Sequence, residues 1–112
     1  MQLVDELFDV FNRITTEAKT KAAEQSLVDL ELSECYHKIE GMKLDHVAKS
    51  HNAIKELQEI LKRRRKIKQE WSILQTVHIN LEPTMQKLSN SLKTIKLKQE
   101  KLIKDLEKNS FQ

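Results

Sequence analysis

The chain has 112 residues, 33% of them charged and 38% hydrophobic, with a formal net charge of +3. One Gly and one Pro cannot supply the turns of a β-sandwich or barrel, and they exclude collagen-like and Pro/Gly-rich disordered chains. What remains is a chain of long helices. The lone Cys35 cannot form an internal disulfide, which points to a reducing compartment. The first ten residues hold Asp5, Glu6 and Asp9, where a secretion signal would be basic and then apolar. No run approaches the ~20 apolar residues of a membrane span. The expectation is a complete small cytoplasmic protein. The charge is unevenly spread. Residues 1–61 carry 7 basic and 12 acidic side chains, net −5, and residues 62–112 carry 13 and 5, net +8. The two parts should attract each other in a chain folded back on itself.

The first predicted element is a helix over residues 2–41. Apolar positions recur at steps of three and four through Val4, Leu7, Phe11, Ile14, Ala18, Lys21, Gln25, Val28, Leu32, Cys35, Ile39 and Met42. That is a heptad seam, broken in character at Lys21 and Gln25 but not in phase. Ser26, with Asp29 three residues on, offers an alternative split by capping a second helix. Gly41 is the stop, since Gly tolerates the left-handed conformation past a helix end.

A second helix is expected over residues 44–81. Its seam reads Leu44, Val47, His51, Ile54, Leu57, Ile60, Arg64, Ile67, Trp71, Leu74, His78 and Leu81. The two consecutive steps of three at Ile54 and Leu57 read as a stammer. Pro83 ends this helix or opens the next from its first turn. A third helix follows over residues 83–108, with Met85, Leu88, Leu92, Ile95, Gln99, Leu102 and Leu106 on its seam, and residues 109–112 are expected to fray. The fold class is therefore all-α: an extended antiparallel bundle of three long, coiled-coil-like helices in a single domain. A bundle this thin buries a modest core, so a homo-oligomer is expected. Phe8, Val10, Leu27, Leu30, Leu61, Ile73, Val77, Leu97 and Ile103 lie off the seams and would supply the interface.

Catalytic constellations are missing. Glu34 and His37 make one Glu-x-x-His motif, but the helical di-iron proteins need two. Glu31 and Glu34 have pyrophosphatase-like spacing without the Glu-x-x-Asp that should follow. His46 and His51 are five apart, which does not place both on one helical face. Neither an enzyme, a metal site nor a cofactor is expected.

The strongest local feature is Lys62-Arg63-Arg64-Arg65-Lys66-Ile67-Lys68, six cations in seven residues. Such a run reads as a solvated face or as an anion site. Nucleic acid is the less expected partner, because aromatic stackers and a groove-reading motif are absent. Arg64 occupies a seam position between Ile60 and Ile67. With the first reversal at residues 42–43, Arg64 falls opposite Lys21. With a second reversal at 82–83, it falls opposite Glu100, beside Gln99. All three helices would then lose apolar character at one level. A desolvated cation needs an anion. Either Glu17, Glu24 or Glu100 supplies it and the layer fixes register, or a ligand does. In the second case Arg63, Arg64, Arg65, Lys66, Lys68 and Lys21 would hold phosphate, with Trp71 or Tyr36 stacked on a base.

The segments DLELSECYHKIE and LDHVAKSHNAIKELQEILKRRRKIKQEWSILQTV, which span Asp29–Val77, resemble a group of small helical proteins encoded by phages and prophages of Bacillus and related bacteria. The resemblance rests on Tyr36, His37, Ile39 and Glu40, then on Leu61, Arg64, Arg65, Ile67, Lys68 and Glu70. It covers about half the chain and implies a phage origin. Small phage proteins without catalytic residues commonly act by binding. The expected function is a non-enzymatic protein that counters host defence in the bacterial cytoplasm by sequestering a phosphorylated nucleotide signal. The alternatives are an inhibitor docked directly on a host protein, a nucleic-acid binder and a structural coiled-coil subunit.

Overall fold

The computed structural model describes residues 1–43 and 47–110. These form two helices, α1 (Gln2–Glu40) and α2 (Val47–Ser110). The three-helix expectation is corrected to two, because α2 runs unbroken through Pro83. The reason lies in the phase. From His78 the steps continue as three to Leu81, four to Met85, three to Leu88 and four to Leu92, so the supposed second and third seams are one seam. Pro83 removes one backbone donor, yet the seam runs on in register across it. The reversal at residues 82–83 on which the expected layer of Glu100 and Gln99 with Arg64 rested does not occur. The expected restart at Leu44, and His46, lie outside the described residues. So do Phe111 and Gln112, whereas Asn109 and Ser110 are still helical.

Two compact units divide the chain, residues 1–78 and 79–112. In the first unit α1 lies antiparallel to the start of α2. Lys38 pairs with Glu56, Arg63 with Glu31 and Lys21 with Glu70, so the numbering rises on one helix as it falls on the other. The seam expected of α1 is the observed buried face. Ala18, Val28 and Cys35 are buried, and the remaining seam residues apart from Leu7 are half-buried. Val28, Cys35 and Ile60 form the core cluster, covered by Leu32, Ile39, Leu57 and Ile67. Ser26 caps nothing. Its hydroxyl donates to the Ala22 carbonyl inside a continuous helix, as Thr15 and Thr16 do to Phe11 and Asn12.

At the start of α2 the buried residue is Ala53, at 4% exposure, while Ile54 is 53% exposed. The stammer is therefore absent. Ser50, Ala53, Leu57 and Ile60 keep the three-four alternation, and the small Ala53, which carries little apolar weight, occupies the seam. Gly41 ends α1 without a left-handed turn, at φ −82° and ψ −4°. The last turn tightens instead, the Met42 amide donating to the Ile39 carbonyl at 3.1 Å.

The second unit consists of the later part of α2. Met85 is buried, and Leu88 and Leu92 are half-buried. Beyond them the same seam is open to solvent, with Ile95 at 52% and Leu102 at 60% exposure.

Candidate functional site

The basic run lies in mid-α2, and packing sorts its cations. Heptad spacing puts Arg63 on one flank of the seam, Arg64 on the seam, and Arg65 and Lys68 on the other flank. Arg63 donates to a Glu31 carboxylate oxygen on α1, and this bond holds its guanidinium more firmly protonated than usual. Arg64 Nε donates to Asp29 Oδ1 at 2.6 Å, with the Arg64 side chain 32% exposed. Its expected place opposite Lys21 is not observed. Asp29 lies eight residues further along α1, so the helices pair about one heptad away from the register that a reversal at residues 42–43 would give. A shift of one heptad preserves every seam position, so periodicity alone cannot detect it.

Lys21 is neutralised elsewhere. Its ammonium donates to Glu70 at 2.7 Å and to Glu24 at 3.2 Å. These two carboxylates, on facing helices, would repel each other without it. Glu70 first, and then Glu24, hold the Lys21 pKa above its ordinary value, and the Lys21 bond holds Glu70 below its own. The two cations on the seams, Lys21 and Arg64, are thus matched by acids of this chain. Lys21 and Arg64 sit in separate ion pairs rather than in one layer.

Arg65 and Lys68 have no ion pair among the described residues. With Arg64 they line a groove of about 670 Å³, open to solvent, whose other walls are Leu61, Gln69, Ser72 and Ile73. From Leu61 to Ile73 it follows α2 for about 18 Å. Apolar ends, two unmatched cations and the donors of Gln69 and Ser72 make it a polar-centred, apolar-ended strip. Leu61 and Ile73 stood in the sequence as off-seam apolar residues expected at an oligomer interface, with Leu61 also among the residues of the resemblance. Gln69 and Ser72 carried no signal of their own beyond sharing the helical spacing of Arg65 and Lys68.

The other expected site residues fall elsewhere. Lys66 is exposed and adds to the positive field that lowers Glu70. Trp71 is half-buried and lines a separate groove with Thr15, Ala18, Lys19, Ala22, Gln75 and His78. The alanines leave room for the indole. Close by, His78 stacks on Phe11 with ring centroids 5.5 Å apart. Tyr36, on α1, is exposed and does not line the basic groove. Among the described residues, no three His, Cys, Asp or Glu side chains could hold a metal ion. No helix of the described residues is long and apolar enough to cross a membrane.

A scan against protein-family models, a search of curated proteins and a search of solved structures each find no match to this chain.

Proposed function

We propose that this is a non-enzymatic binding protein whose α2 groove docks a helical segment of a protein partner, acidic at its centre and apolar at its ends. The observation that carries the reading is the groove itself. Arg65 and Lys68 lack acids of their own between the apolar walls Leu61 and Ile73. A strip about 18 Å long on one helix matches some three turns of a docked helix, read at i, i+3, i+4 and i+7. A small ligand would be better served by a pocket that encloses most of its surface. In the light of the phage resemblance, the partner is a host defence protein in the bacterial cytoplasm, and binding blocks it.

A second reading keeps the phosphorylated nucleotide as ligand, with Arg65 and Lys68 on its phosphate. What favours it is the same pair of unmatched cations, since desolvated guanidinium–phosphate contacts are strong. Direct binding measurements separate the two. The probes are a labelled helical peptide with Glu in its middle turn and Leu at both ends, on one face at three- and four-residue spacing, and a nucleoside triphosphate. The docking reading expects micromolar binding of the peptide, lost at least tenfold in Arg65→Glu/Lys68→Glu, and no saturable binding of the triphosphate below 1 mM. Tight triphosphate binding with no peptide binding would reverse the order.

A further inference from the structure

The seam of α2 does not stop where its burial does. Leu88 and Leu92 are half-buried, and then Ile95, Gln99, Leu102 and Leu106 continue the same steps of three and four into solvent. Ile95 is 52% exposed, Leu102 60% and Leu106 59%, with Ile103 beside them at 55%. An apolar stripe at coiled-coil spacing, continuous with the seam that packs the rest of the helix, is built to meet another helix.

We propose that residues 95–106 of α2 pair with the same residues of a second copy, antiparallel and about a two-fold axis. In one register only the exposed part of the seam is used. Ile95 then meets the second copy's Leu106, and Gln99 meets its Leu102. This arrangement sets Lys98 beside the second copy's Asp105, and by symmetry the pair occurs twice. Lys96 lies beside Ile103, where its methylenes cover apolar surface. No like charges face each other. Shifting the register by one heptad to draw in Leu92 brings Lys98 against Lys98 and Lys96 against Lys96, which disfavours it. The flanking charges thus select both the partner and the register, as such positions do in coiled coils. The contact is short, so the dimer forms at micromolar or higher concentration. It uses none of the residues of the basic groove and stands or falls apart from that reading.

Sedimentation equilibrium of the full chain tests it. The native protein should show a concentration-dependent monomer–dimer equilibrium. Lys98→Glu places two repulsive pairs in the interface and should weaken association roughly tenfold. Asp105→Lys alone should do the same. The exchanged variant Lys98→Glu/Asp105→Lys should restore the native association, because each new charge meets its opposite across the two-fold. Both positions of change are on an exposed helical surface, and circular dichroism checks that all three variants remain helical. A native chain monomeric to 1 mM would overturn the proposal. So would association indifferent to Lys98→Glu, or an exchanged variant as weak as the single ones.

Discussion

Replacing Arg64 by Leu tests whether the one cation on the α2 seam is kept for stability. The residue stands between Ile60, which is buried, and Ile67, which is half-buried. Its side chain is 32% exposed, so about two-thirds of a leucine there would be covered. Full burial of a leucine is worth about 1.5–3 kcal/mol, which scales to about 1–2 kcal/mol here. Against this stand the lost ion pair with Asp29, worth about 0.2–1 kcal/mol for a pair this exposed, and the packing of the arginine methylenes. The Asp29 side chain is 44% exposed and stays hydrated when its partner goes, so no orphaned charge is created. The balance is a gain of about 0.5–1 kcal/mol, or about 2–4 °C in Tm for a chain of this size. Thermal unfolding followed by circular dichroism at 222 nm, at fixed protein concentration, measures it. A fall in Tm of more than about 2 °C would refute the reasoning and make the Arg64–Asp29 pair a determinant of the fold. The same variant should bind the acidic helical peptide within about threefold of native, since Arg65 and Lys68 remain.

Other outcomes follow from the same packing. Gly41→Ala should leave Tm unchanged or raise it slightly, because φ is −82° and an added Cβ would meet nothing closer than the His37 carbonyl at 3.6 Å; a clear loss would imply a left-handed turn. Ala18→Leu should destabilise by about 1–3 kcal/mol, because Ala18 is 5% exposed and lines the groove beside Trp71, whereas Ile54→Ser should change stability by less than about 0.5 kcal/mol. Because the folded pKa of Glu70 is depressed, its contribution is present above its ordinary value of 4.5 and lost as pH falls through the lower folded value. Lys21, raised above 10.5, contributes below that pH and loses its share as pH climbs through the higher folded value. Urea unfolding across both windows should show Lys21→Met removing part of the acid and the alkaline loss.

Much of the fold was written in the residues, and the failures have physical causes. The seam of α1 was legible from Val4 to Met42, because a buried stripe must repeat at the helical period whatever it packs against. The helix count was not legible at Pro83, where a local breaker sits inside a phase that runs from His78 through Met85 to Leu92. The stammer failed because Ala53 carries little apolar weight, although Ala is well suited to a close helix approach. The register differs by about one heptad, a displacement to which the pattern is blind. That failure carried into the site. Lys21 and Arg64 looked like a shared cationic layer, yet each has its own acids, and only the three-dimensional register reveals which. Arg65 and Lys68 were within the expected set, but nothing in the sequence distinguished them from Arg63, whose partner Glu31 is 32 residues away.

The most direct test of the docking reading maps contact on the protein itself. Backbone amide shifts of the isotope-labelled full chain are followed while the acidic helical peptide is added. The account predicts saturable changes concentrated between Leu61 and Ile73 on α2, and their disappearance in Arg65→Glu/Lys68→Glu with the remaining spectrum intact. Changes centred on α1 or on residues 95–106, or changes that survive the double charge reversal, would contradict it.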